Sequence, residues 1–435
     1  MTAAPSPPAR TSATAGSGLT GVATQTKTRP PIARPSTPKT PTPALLRGWL
    51  IGTLIAVVVF TVAGVGTLVS ARGVLSEAGQ SLDQLSRVES IRTDVLRADA
   101  GAAHMLLGTQ ATDYQQALAA ARETIVEAAD GGSAEMRQTN GEALRAVNRE
   151  LDRYANHLET ARVERGTPAG VEALAAADRQ LRIVVLPELD TLVNLNSARV
   201  ARQTVGLSGD VLMVSGLVAL VGLIGTSTVL GLRFRRLINP GLAGALVLVT
   251  AAFFFAQSSI TDANTQVSGV ARFQLATFEA TAAARGLAYS ARAYEAVALL
   301  ERAEGEAGDE PWITVAQETT AALDMIPSTV GQELLVAWQD YATAHRDVRT
   351  AADQGQWDSA EQQVLSTAPD SAGGHFEVFD SAVTQAMTEA GDDAGTLIDH
   401  PRGRLTSAAT GVGLAGVAVI ALTVWGVWPR LREYA

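Results

Sequence analysis

The chain has 435 residues, enough for two or three ordinary domains, and a formal net charge of −10. Hydrophobic residues make up 47 % but are concentrated in a few blocks, which sets it apart from an ordinary soluble protein. The absence of cysteine excludes disulfides, thiolate metal sites, a cysteine nucleophile and a lipidated cysteine, and the acidic balance argues against nucleic acid as a partner.

Residues 1–47 are rich in Pro, Thr, Ser and Ala and hold both lysines of the chain, Lys27 and Lys39. They lack apolar periodicity and are expected to form a disordered basic tail. Thr37, Thr40 and Thr42 each precede a proline and are candidate phosphorylation positions. Generic disorder is the plainer account.

An apolar block at 48–71 is long enough to cross about 30 Å of hydrocarbon as a helix. Its length and the tail before it predict an uncleaved anchor, not a signal peptide. Residues 72–207 then read as a helical bundle. Val88, Ile91, Val95, Ala98, Ala102 and Met105 alternate three- and four-residue steps, as do Leu144, Val147, Leu151, Tyr154, Leu158 and Ala161. Such steps keep apolar side chains on one helix face, the seam of a bundle. Gly131-Gly132 and Gly166-Thr-Pro mark helix breaks, and Pro187 predicts a kink in the last helix. Asp94, Arg97 and Asp99 form a charged cluster on the first helix.

A second span is expected at 208–232, a turn bearing Arg233, Arg235 and Arg236 at 233–240, and a short third span at 241–257. Residues 258–405 repeat the bundle pattern. Leu334, Trp338, Tyr341, His345, Val348 and Ala352 form its seam, with breaks expected at Gly308-Asp-Glu-Pro, Gly355, Pro369 and Gly373-Gly374. The fourth span is expected at 406–428, followed by an end at 429–435 carrying Arg430 and Arg432. The predicted fold is therefore an all-α membrane protein: four transmembrane helices and two helical bundles arranged as a tandem repeat. The first and last helix of each bundle are expected to run on into the spans.

Tail, turn and end hold eleven basic residues and one acidic one, against 23 basic and 43 acidic elsewhere. The positive-inside rule places these segments in the cytoplasm and both bundles outside, in a multi-pass protein of the plasma membrane. The arginines of the turn and end are expected to set topology, touch lipid headgroups or meet a cytoplasmic partner.

No catalytic, cofactor or metal site is expected. Gly411-Val-Gly413-Leu-Ala-Gly416 matches a dinucleotide-binding pattern but lies inside a span with no strand before it, so close helix packing explains it better. Gly48 and Gly52 have the same explanation. The five histidines lack metal-ligand spacing. His345, on an apolar seam, reads first as a core histidine and second as a pH or ligand sensor. Arg285 and Arg292 occupy a region of the second bundle comparable to Asp94, Arg97 and Asp99. They could grip a carboxylate ligand, although a solvated charged face is the plainer account.

The stretches from Tyr154 through Gly166 to Leu181, and from Tyr341 through Gly355 to Leu365, resemble the four-helix-bundle sensor domains of bacterial chemoreceptors and sensor kinases. Arg-Arg-Leu-Ile-Asn-Pro240 and Trp-Pro429-Arg-Leu-Arg-Glu433 look like the first residues of a HAMP relay helix, which here stops at once. In length, basic tail, twin outer domains and short inner ends, the whole chain resembles the GlnX-type four-span membrane proteins of actinobacteria. That resemblance implies a periplasmic amino-acid-binding lipoprotein and a soluble cytoplasmic Ser/Thr kinase as partners. It also implies a non-enzymatic adaptor relaying amino-acid availability. A direct small-molecule receptor and an envelope structural or assembly protein remain the alternatives. Small residues along the spans allow a homodimer.

Overall fold

The computed structural model describes residues 42–109, 112–203, 208–234, 239–302, 305–326 and 329–432. Among them every regular element is helical, and four helices are long and apolar enough to cross a membrane. The chain is an all-α, multi-pass membrane protein. In order, the helices are α1 (Thr42–Leu107), α2 (Thr112–Asp130), α3 (Ala134–Val163), α4 (Pro168–Gln180), a π-turn (Leu181–Val185) and α5 (Leu186–Gln203). They continue with α6 (Asp210–Phe234), α7 (Pro240–Leu300), α8 (Gly305–Asp324), α9 (Thr329–Asp353), α10 (Trp357–Leu365) and α11 (Ala372–Arg432).

Three helices are far longer than a membrane is thick. At 1.5 Å per residue, the 66 residues of α1 span about 100 Å, and the 61 residues each of α7 and α11 span about 90 Å. Each crosses the hydrocarbon and projects roughly 60 Å beyond it. The expected continuity of span and bundle holds for these three and fails for the fourth. Helix α5 stops at Gln203, Ser208 and Gly209 are not helical, and α6 starts anew at Asp210. Its first turn closes through Met213 N–H on the Gly209 carbonyl, with Asp210 at the positive end of the helix dipole.

The three seams lie where the periodicity puts them, and every residue named for them is buried. Gly166 and Gly355 end α3 and α9 with a backbone φ of 75° each, a left-handed conformation that costs a side-chain-bearing residue strain. The two bundles do not keep separate cores. Buried side chains from α1 to α5 and from α7 to α11 form one cluster, with α1 lying along α7. A β-carbon on Gly286 of α7 would stand 3.1 Å from Leu96 of α1.

Several expectations are corrected. Residues 42–47, assigned to the tail, open α1; Pro43 is tolerated in the first turn, where its missing N–H has no helical partner to lose. Gly308 and Pro311 do not break the chain but lie within α8, whose adjacent Trp312 is anchored in the core. Gly373 and Gly374 sit in the first turn of α11, so the break falls before them, around Pro369. The tail residues Thr37 and Thr40, with Arg235 and Arg236 of the turn, lie outside the described residues. Thr42 is the first residue of α1, Arg233 lies in α6, and Arg430 and Arg432 lie in the last turn of α11.

The spans pack through small residues, as expected, but not at all the predicted ones. Gly416 meets α1, where an added β-carbon would collide with Thr61. Gly411 and Gly413 make only ordinary contacts, and a β-carbon on Gly48 or Gly52 would meet no neighbour within 4 Å among the described residues. Backbone meets backbone between the start of α7 and the end of α11. A β-carbon on Gly241 would fall 2.7 Å from the Gly426 Cα, and Asn239 Nδ2 donates to the Gly426 carbonyl at 2.7 Å. The joint between α1 and α6 is polar: the hydroxyls of Thr53 and Thr226 lie 2.6 Å apart, and Thr53 donates to the Gly222 carbonyl.

Candidate functional site

Pro187 shapes the first site. It has no N–H, and its ring would clash with the carbonyl four residues back in a regular helix. The preceding turn widens instead, and Leu186 N–H bonds to the Leu181 carbonyl five residues back. The expected kink thus takes the form of a π-turn, a common device at functional sites. Arg182 lies in that turn. Its Nε donates to Asp178 Oδ1 at 2.5 Å, its Nη2 approaches Asp99 Oδ2 at 3.6 Å, and its guanidinium lies 4.5 Å over the Tyr294 ring of α7. Asp99 Oδ1 accepts from the buried Tyr154 hydroxyl at 3.2 Å. Burial and the nearby Asp178 charge push the Asp99 carboxyl up to about 7, against the pull of Arg182 and Tyr154. A cavity of about 230 Å³ opens here between α1, α4 and α7.

The second site lies deeper in the other bundle. His345 Nδ1 is 2.7 Å from Glu295 Oε1, and Nε2 is 2.9 Å from Asp309 Oδ1. With a carboxylate at each nitrogen, the ring is a doubly donating imidazolium. Burial lowers its proton affinity, but the hydrogen bonds and charges of Asp309 and Glu295 outweigh it and hold the pKa above the ordinary value. Trp312 stacks on the imidazole at 3.7 Å, and Glu295 accepts a second bond from Tyr341 at 3.2 Å. The pairing of Tyr341 with Glu295 mirrors that of Tyr154 with Asp99. In each case a buried seam tyrosine donates to a carboxylate on the long helix that carries a span.

The charged residues singled out in the sequence fall into three groups. Asp94 and Arg97 lie close to Arg285, whose fork is already filled by Asp380 (Nε to Oδ1 2.7 Å, Nη2 to Oδ2 3.3 Å). Asp99 is on a different face of α1 from the exposed Arg97 and belongs to the Arg182 site. Arg292 is buried with its guanidinium 4.4 Å over Phe376, so neither it nor Arg285 is a solvated, open clamp. Sequence reasoning missed Arg182, Asp178, Tyr294, Glu295, Asp309 and Trp312. The only local signal was Asp178 four residues before Arg182, just ahead of Pro187.

These groups make stability pH-dependent with a definite sign. Asp99, and Glu89, which burial pushes up to about 7 against the pull of Arg92, take up protons in the folded state that they release when unfolded. Their contribution is fully present at acid pH and is lost between about pH 4 and 7. That of His345 persists to higher pH, below which its raised folded value keeps it charged. His104 opposes them: burial, aided by Arg292, holds it neutral, so it favours unfolding below about pH 6.5. We expect the melting temperature to fall from pH 6 to 8, and Asp99→Asn to flatten its lower part. Circular dichroism melts in buffers of constant ionic strength measure this, and a rise over that interval would contradict it.

No curated protein and no solved structure matches the chain. Residues 74–205 match the family model of an actinobacterial sensor domain. The matched segment runs from the distal part of α1 through α5 and contains Asp99, Tyr154, Asp178 and Arg182, so this part of the chain, with the first of the two buried charge clusters, is similar to a sensor domain and has a sensing role.

Proposed function

We propose that the protein is a non-enzymatic transmembrane signalling adaptor. Its bundles stand outside the plasma membrane and receive a solute-loaded binding lipoprotein that reports amino-acid availability. The tail, the turn around Arg233 and the end around Arg430 and Arg432 face a cytoplasmic Ser/Thr kinase. The observation that carries this reading is the continuity of α1, α7 and α11 from the buried charge clusters into the spans. A partner that favours one arrangement of the bundles thereby biases the spans, by its difference in affinity for the two arrangements. The charge asymmetry supports the orientation, and the sensor-domain match supports the role of the outer helices. The GlnX-type resemblance supplies the partners.

Crosslinking in cells followed by mass spectrometry of captured proteins is the direct test. A solute-binding lipoprotein recovered with a Ser/Thr kinase is expected; recovery of envelope or division proteins alone would overturn the adaptor. Deleting residues 1–40 while neutralising Arg233, Arg235 and Arg236 is expected to abolish downstream phosphorylation. Unchanged phosphorylation would place the inner contact elsewhere. The cavity beside Asp99 favours a second reading, a receptor that binds the signalling amino acid directly, and calorimetry with amino acids on the purified chain separates the two: binding without a carrier protein would favour the receptor.

A further inference from the structure

The cavity between α1, α4 and α7 has walls of two kinds. Val171, Leu174, Val297 and Leu300 give it an aliphatic side, while Asp99, Asp178, Arg179, Arg182 and Glu301 bring three carboxylates against two guanidiniums. Its volume of about 230 Å³ exceeds the ~150 Å³ that accommodates a benzene ring. The charges are unevenly satisfied. Arg182 gives its Nε to Asp178 at 2.5 Å and its face to Tyr294, while its Nη2 is buried without a hydrogen-bond partner. Asp99 is almost wholly buried, yet only its Oδ1 receives a hydrogen bond, from Tyr154. Asp99 lines the cavity, and its Oδ2 is ion-paired with Arg182 Nη2 at 3.6 Å without a hydrogen bond.

We infer that this cavity binds a small organic monocation, a protonated amine on a compact apolar body, with its ammonium on Asp99 Oδ2. An ammonium supplies the donor that the buried carboxylate lacks, and it brings the excess of carboxylate over guanidinium in the lining to balance. An anion reaching for Arg182 would instead sit among Asp99, Asp178 and Glu301. The aliphatic wall sets the size and the apolar character of the body. Because the cavity joins α4 of one bundle to α7 of the other, a bound amine would tie the two span-bearing helices α1 and α7 to the π-turn. The high proton affinity of Asp99 adds a signature: the amine competes with the carboxyl proton, so binding strengthens as pH rises toward 7.

The test uses the full chain in lipid nanodiscs, titrated calorimetrically with three probes of one shape: 2-phenylethylamine, 2-phenylethanol and phenylacetate. The amine is expected to bind at least tenfold more tightly than either of the others, with affinity rising between pH 5.5 and 7. Asp99→Asn is expected to weaken the amine tenfold or more. Ala175→Trp, which fills the exposed rim of the cavity without touching Asp99, is expected to abolish binding with the helical spectrum unchanged. Equal or tighter binding of the alcohol or the acid would overturn the inference. So would full amine affinity in Ala175→Trp, or no amine binding at millimolar concentration. The adaptor reading is tested by partner capture, so a negative titration leaves it standing.

Discussion

Replacing His345 with alanine should destabilise the distal bundles by about 3–5 kcal/mol, the range for removing one member of a buried charged cluster. The imidazole is fully buried and bridges Glu295 and Asp309, with Arg349 Nε also 3.7 Å from Asp309 Oδ1. Without it the two carboxylates lose their shared partner: Asp309 retains Arg349, whereas Glu295 retains the Tyr341 hydroxyl. Trp312 also loses the ring stacked on it, so its fluorescence reports the change directly. Adding Glu295→Gln to the alanine variant should restore part of the loss, because one uncompensated charge disappears with it. A single variant within about 1 kcal/mol of the parent in urea unfolding would show that the cluster is no more than a polar filling of the core.

The second large effect belongs to Gly241. A valine there would place its Cβ 2.7 Å from both the Gly426 Cα and the Leu422 carbonyl oxygen, and backbone cannot rotate away as a side chain can. The start of α7 must part from the end of α11, and the bond from Asn239 to the Gly426 carbonyl goes with the movement. Overpacking of this kind costs about 1–3 kcal/mol. The joint lies at the ends of the spans remote from the bundles, so melting of the bundle core should change little while the spans separate. Because the chain has no native cysteine, single cysteines introduced on α7 and α11 give an unambiguous crosslinking readout. Crosslinking at parental efficiency would mean that the helices absorb the side chain without parting.

Spans and seams were legible because apolar length and 3.6-residue periodicity are local properties. Every seam residue from Val88 to Met105, Leu144 to Ala161 and Leu334 to Ala352 is read from its neighbours along the chain. The pairings were not legible. Asp99 is 55 residues from Tyr154, and Glu295 is 50 from His345, and periodicity says only that a face is buried, not what meets it. That is why Asp99 was grouped with Asp94 and Arg97, its neighbours in sequence, although it points elsewhere. Pro311 misled in a different way: expected to break the chain, it sits inside a helix beside a buried tryptophan, whereas the disturbance expected at Pro187 is a π-turn. The shared core of the two bundles was not read from the sequence, although the distal half of α7 is rich in alanine on every side and is buried almost all round, the mark of a helix enclosed by neighbours.

The interruption at Ser208 and Gly209 gives the four spans unequal mechanical roles. Helices α1, α7 and α11 are stiff rods held together along most of their length, whereas α6 starts anew after the non-helical Ser208 and Gly209 and packs against α1 and α7 only within the membrane region. An axial push on the rods therefore need not be shared by α6, and the slip falls on its joints with α1 and α7. The joint with α1 is spanned by the hydroxyl pair of Thr53 and Thr226 at 2.6 Å. A stroke of about 1–2 Å, the size of ordinary helix shifts, is enough to break that latch and let α1 slide past a stationary neighbour.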